Sequence, residues 1–159
     1  MTRRSTSTAG RSPRVAPKER WTREPAPHDY PAASDYLSLL FDAPTVRALV
    51  RGLRTATVTT RKAKDLLRAS GLTLLPGTDA EVAKDLKKMK KGERLSPVLL
   101  VRGGLDHDRL LTVADGYHRI CASYHLNEDA DIPCRIADLP PPRVQPLAMP
   151  APRAPRTRS

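Results

Sequence analysis

The spacing of apolar residues predicts helices in the first half of the chain. Residues 35–53 predict one short and one longer helix. Residues 61–70 predict a further helix, for which Thr60 is a suitable N-cap and Gly71 a suitable end. A helix-turn-helix built from these elements is disfavoured, because neither its turn chemistry nor a base-reading polar face is evident. We expect plain packing instead.

A third helix is marked by a cap, an apolar stripe and a terminating glycine. Asp79 is a suitable N-cap, Val82, Leu86 and Met89 follow at i, i+4 and i+7, and Gly92 can close the helix. Lysines occupy its other faces. We expect a solvated surface there, because no aromatic residues lie between the lysines to stack on bases.

After Ser96 the pattern changes to that of strands. Residues 97–102 predict a buried strand, and residues 110–114 predict the returning strand of a hairpin. A helix over 117–126 leads to a last strand over 132–137, which can lie parallel to an earlier one. This order predicts an α+β fold with a small mixed sheet and packed helices.

Charge and proline content divide the chain into a folded centre and two tails. Residues 1–28 carry seven Lys/Arg against two Asp/Glu, and residues 140–159 carry four Arg and no acid, so the total charge of +11 leaves +2 for the centre. Eleven of the sixteen prolines also lie in these tails, and we expect both tails to be disordered. The folded domain is predicted at residues 29–139, with a helical extension over 35–71 and a core over 72–139.

Composition also bears on compartment and metal chemistry. No apolar run is long enough to span a bilayer and no secretory signal is evident, so we expect a cytoplasmic protein without membrane contact. Cys121 and Cys134 stand among apolar residues, and we expect reduced, buried thiols. Asp106, His107 and Asp108 lie in a turn-rich hairpin, where solvated polar side chains are favoured over a metal site.

The junction at Asp115 and Gly116 carries the clearest chemical signal. In the helix that follows, His118 and Arg119 lie in the first turn, off the apolar stripe. A cation is the wrong charge for a helix N-terminus, so this placement favours a bound anion. Glycine, exposed amides, an imidazole and a guanidinium together describe a phosphate cradle. Two structural alternatives stay open: Asp115 caps the helix, or Arg119 pairs with a nearby carboxylate.

Residues 72–139 contain an ordered set of elements: a helix ending in KKGERLSP, a strand VLLV, a variable hairpin, a strand ending in ADGYHR, a helix with CASY and a closing strand IPCRI. Their order gives a resemblance to the ParB/sulfiredoxin-like superfamily. It implies a ParB N-terminal-like fold whose turn binds the phosphates of CTP in ParB, and of ATP in sulfiredoxin and the related free-serine kinases. Gly116, His118 and Arg119 match that turn, and Asp115 matches the Asp-Gly form of the kinase-like members.

Two departures narrow what the resemblance implies. Tyr117 stands where sulfiredoxin has its reactive cysteine, and Cys121 is expected to be too buried to replace it, so sulfiredoxin activity is not implied. ParB carries an acid and two arginines after the glycine, followed by a centromere-reading domain. This chain has neither feature, so chromosome partitioning is not implied.

We therefore expect a domain that binds a nucleoside triphosphate of ATP or CTP type with Mg²⁺, with phosphoryl transfer or nucleotide hydrolysis as the reaction. His118 and Arg119 would hold the phosphates, and Gly116 would let backbone donors approach them. Asp115 is the candidate catalytic residue, positioning metal or acceptor. The alternative is a non-catalytic module that recruits nucleic acid or an acidic partner through its basic tails.

Overall fold

The computed structural model describes residues 20–142 and 147–151. Its described part contains five α-helices and a four-stranded sheet, which confirms the predicted α+β class. The helices are α1 (Asp29–Leu37), α2 (Ala43–Thr55), α3 (Ala63–Ser70), α4 (Ala80–Lys90) and α5 (Tyr117–Leu126). The strands are β1 (Thr59–Lys62), β2 (Val98–Val101), β3 (Thr112–Asp115) and β4 (Asp131–Ala137).

The sheet is mixed, with strand order β1-β4-β2-β3. β3 returns antiparallel to β2 through a hairpin, and α5 then carries the chain to β4. β4 lies parallel to β2, with Val98 opposite Cys134, as a helical connection allows. β1 pairs antiparallel with the other side of β4 and forms an edge of the sheet.

Helices cover both faces of β2, which explains its continuous apolar sequence. Val98 and Leu100 pack in a cluster with α3, α4 and α5, whereas Leu99 and Val101 pack in a second cluster with α1 and α2. All four side chains are fully buried. The predicted helical extension over 35–71 is thus part of the domain core: it supplies one helical layer, an edge strand and α3.

Local sequence signals correctly placed several element ends. The carboxylate of Asp79 accepts hydrogen bonds from the amides of Glu81 and Val82 and caps α4. Gly71 adopts the left-handed conformation directly after α3 and ends it. α5 has the bounds that its apolar stripe predicted.

Other predicted boundaries are wrong. α1 begins at Asp29 rather than near residue 35, because a proline in the first turn of a helix, here Pro31, removes no helical hydrogen bond. The TATVTT segment is more than a connection, since Thr60 lies within β1 and cannot cap α3. β3 begins two residues later than predicted and extends through Asp115.

The folded domain also begins before residue 29, contrary to the predicted tail boundary. Trp21 is buried in the core, and Arg20 and Thr22 exchange backbone hydrogen bonds with Leu95 on either side of it. Burial of this indole outweighs the basic, proline-rich composition around it. The prediction of disorder for residues 1–19, 143–146 and 152–159 lies outside the described residues. Within the described ranges, no helix has the length and apolar character needed to cross a bilayer.

Candidate functional site

The turn from β3 into α5 leaves the first amides of the helix without a protein cap. Gly116 occupies the N-cap position with φ +108°, and no described side chain accepts a hydrogen bond from the helix start. The first helical bond runs from the amide of Ile120 to the carbonyl of Gly116, at 3.1 Å. Asp115 does not cap the helix, so that interpretation of its role is wrong. The amides of α5 stay available to an anion.

Glycine at position 116 is required by the packing of this turn. A Cβ atom there would lie 2.4 Å from Cγ1 of Val98, and the positive φ also disfavours any other residue. The turn therefore lies directly against β2. The close approach to β2, rather than contact with a ligand, is therefore the reason for a glycine at this position.

Arg119 points into the protein and forms ion pairs there. Its Nη2 lies 2.5 Å from Oδ2 of Asp115, and its Nη1 lies 3.6 Å from Oδ2 of Asp29. Nη1 also donates a hydrogen bond to the hydroxyl of Ser96. Only 12% of the Arg119 side chain is exposed. The alternative that Arg119 pairs with a nearby carboxylate is confirmed, and the structure adds a second carboxylate.

Asp29 is the acid of this cluster that the sequence did not reveal. It lies at the start of α1 and is buried, and its Oδ2 accepts hydrogen bonds from the Ser96 hydroxyl at 2.6 Å and the Ala26 amide at 2.9 Å. Asp29 and Ser96 are 67 residues apart in sequence. The only signal was an acid at a helix start, which is also the signature of an ordinary first-turn residue.

The two carboxyl groups share one guanidinium, and the pKa of Asp115 is nevertheless raised. Burial is the largest cause of the shift, and the charge of Asp29 adds to it, whereas Arg119 acts in the opposite direction. The protonated form of Asp115 is therefore favoured relative to a free aspartic acid. A carboxyl group with a raised pKa beside a second carboxylate is an arrangement suited to proton transfer.

A cavity of about 560 Å³ opens in front of this cluster and is lined by Gly116, His118 and Arg119. We call it the α5 cavity. Its acids are Glu24, Asp29, Glu81, Asp85 and Asp115. Its strong bases are Lys88, Arg94 and Arg119. With acids outnumbering these bases, the cavity suits a ligand that brings both negative and positive charge.

Asp85 stands out among the acids of the α5 cavity. Its side chain is 14% exposed, and burial raises its pKa, opposed by Lys88, whose ammonium lies 3.8 Å away, and by Arg119 and His118. A largely buried carboxylate on the lining of a cavity is available to a cation that enters with a ligand. Within the described ranges, however, no three His, Cys, Asp or Glu residues cluster to hold a metal ion by themselves.

The two cysteines and Tyr117 do not line the α5 cavity. Cys121 is fully buried, and burial raises the pKa of its thiol, so it cannot replace a reactive thiolate. Burial also raises the pKa of Cys134, to about 11. The phenol of Tyr117 donates a hydrogen bond to the carbonyl of Thr73. Tyr117 is not among the residues that line the α5 cavity.

Comparison with protein-family models, curated proteins and solved structures found no match for this chain.

Proposed function

We propose that the protein binds a nucleoside polyphosphate together with Mg²⁺ in the α5 cavity, with the phosphates at the N-terminus of α5. The observation that carries this proposal is the uncapped helix start, at which Gly116 and His118 line a cavity that also holds Lys88 and Arg94. Helix-start amides and such side chains together are a known mode of phosphate recognition. The ParB/sulfiredoxin-like resemblance, proposed from the same turn, supports this choice.

The charges of the cavity support a metal–nucleotide complex over a bare anion. Several acids would repel an unaccompanied triphosphate, whereas Mg²⁺ bound to the phosphates offsets them. Mg²⁺ commonly keeps several waters and takes only one or two protein carboxylates besides the phosphates. Asp85 and Glu81, which both line the cavity, fit that role without a preformed metal site.

Arg119 has a different role in this proposal from the one that its sequence position indicated. Because two carboxylates and a hydroxyl already engage it, it holds the turn and the Asp29–Asp115 pair in place behind the phosphates. Asp115 is then the group that can accept or return a proton beside the reacting phosphate. This arrangement favours phosphoryl transfer or nucleotide hydrolysis as the reaction.

The proposal is tested by calorimetric titration of the full chain with ATP, CTP and their diphosphates, with and without Mg²⁺, at two salt concentrations. His118→Ala and Arg94→Ala should weaken binding at least tenfold, the size of a lost charge-assisted contact. Arg68→Ala is the control, because Arg68 is exposed and does not line the cavity. Binding that is insensitive to these variants and steeply salt-dependent would contradict the proposal and favour non-specific attraction by the tails.

A further inference from the structure

A second cavity, of about 390 Å³, lies between α3 and the connection of β2 to β3. We call it the hairpin cavity. It shares no lining residue with the α5 cavity. Leu66 and Ala69 of α3 line one side, and Leu110 and Leu111 of the hairpin line the other. Its size falls within the range of small-molecule sites.

The walls of the hairpin cavity are mostly apolar, and backbone contacts hold them together. The amide of Leu111 donates a 3.1 Å hydrogen bond to the carbonyl of Ala69, which ties the hairpin to α3. Gly103 closes the base of the hairpin, where a Cβ atom would lie 2.4 Å from the carbonyl oxygen of Arg109. Leu110 is 63% exposed although it lines the cavity. The cavity is thus preformed and leaves apolar surface uncovered.

Two arginines on the lining of this cavity have no acidic partner among the described residues. Arg61 donates only to the hydroxyl of Thr59 and the carbonyl of Thr60, and the guanidinium of Arg109 stacks on Phe41 at 4.5 Å. The other two charged residues of the lining form ion pairs. Arg102 pairs with Asp138 at 2.6 Å, and Asp65 pairs with Arg68 at 3.3 Å.

We propose that the hairpin cavity binds a small amphiphilic carboxylate, with its apolar body between α3 and the hairpin and its carboxylate at Arg61 and Arg109. The positive charge of these two arginines would attract a carboxylate, and the leucines of the lining would pack against an apolar body. A guanidinium fork matches a carboxylate in shape and hydrogen-bonding geometry. This site is independent of the proposed nucleotide site.

The test is titration of the full chain with octanoate, followed by NMR of the methyl groups of Leu66, Leu110 and Leu111 and by calorimetry. Octanoate should shift these methyl signals saturably. Octanamide, the neutral analogue, should bind at least tenfold more weakly, because it lacks the charge that the arginines recognise. The double variant Arg61→Gln, Arg109→Gln should remove that difference. Arg47→Gln is the control and should leave it unchanged, because Arg47 is an exposed residue of α2 that lines neither cavity.

A variant that fills the cavity tests the location of the site. Ala69→Trp places an indole in the cavity from an exposed helix position and should abolish octanoate binding. Ala83→Trp is the matched control, because Ala83 is an exposed helix residue on α4 that lines neither cavity. Equal affinity for octanoate and octanamide would overturn the proposal. So would octanoate binding that survives Ala69→Trp, or no octanoate binding up to its solubility limit.

Discussion

The carboxylates of Asp29 and Asp115 approach the same guanidinium, that of Arg119, although one lies at the start of α1 and the other at the end of β3. Through this contact the helical layer that contains α1 is joined to the turn that begins α5. The same three side chains line the α5 cavity. We therefore expect both the stability of the protein and ligand binding to depend on this one cluster. Suitable variants can distinguish the effect on stability from the effect on binding.

Arg119→Ala should destabilise the protein by about 3 kcal/mol at neutral pH, because it leaves two largely buried carboxylates without their common partner. The cost should shrink as pH falls, because protonation of Asp115, whose pKa is raised mainly by burial, removes a charge that Arg119 neutralises. Chemical denaturation at pH 7 and pH 3.5 measures both effects. Arg102→Ala, which breaks an exposed pair with Asp138, is the control and should cost under about 1 kcal/mol. An equally small loss for Arg119→Ala would show that the cluster is not a stabilising contact.

Asp115→Asn should change how stability depends on pH. The pKa of Asp115 is raised in the folded protein, mainly by burial, so its contribution is present at low pH and is lost as pH rises through that value. The melting temperature of the unmodified protein should therefore fall relative to that of Asp115→Asn as pH rises from about 4 to 7. A relative rise over the same range would mean that the Arg119 ion pair lowers this pKa.

Gly116→Ala should destabilise the protein more than Gly92→Ala does. Both glycines have positive φ, but a Cβ atom at position 92 meets nothing within 4 Å, whereas one at position 116 lies 2.4 Å from Val98. Backbone strain alone should cost about 1 kcal/mol at Gly92, and the added overlap should bring the cost at Gly116 to about 3 kcal/mol. Denaturant titration of the two variants isolates the overlap. Equal losses of stability in the two variants would show that overlap with Val98 adds no cost.

Neither cysteine should react with iodoacetamide in the folded protein at pH 8. Cys121 and Cys134 are fully buried, and burial raises both pKa values, that of Cys134 to about 11, so little thiolate is present or accessible. Mass spectrometry should find no adduct on the native chain and two adducts in guanidinium chloride. Rapid native labelling of Cys121 would reopen the question of a thiol near the candidate site.

Elements with strong local signals could be predicted from the sequence. The Asp79 cap placed α4, Gly71 ended α3, and a continuous apolar run predicted a buried strand where β2 lies. The edge strand Thr59–Lys62 was missed because four polar residues on an edge carry no apolar alternation.

The candidate site could be predicted only in part, for a similar reason. The sequence predicted a tight strand-to-helix turn at Gly116, and the structure has a turn at this position. It could not show that Asp29 reaches this turn, since that contact depends on how α1 packs on the sheet. The sequence alone therefore leaves two candidate partners for Arg119: an external anion, or a carboxylate of the protein. The structure shows one carboxylate partner close in sequence, Asp115, and one distant in sequence, Asp29.

The central claim, that phosphates bind at the start of α5, is tested most directly by the backbone NMR shifts of the full chain during titration with ATP and Mg²⁺. We predict that the largest saturable shifts occur at the amides of Gly116, Tyr117 and His118, and that they persist at 150 mM salt because this binding is not purely electrostatic. Shifts confined to residues 1–28 and 140–159 that vanish at that salt concentration, or no shifts at all, would contradict the claim.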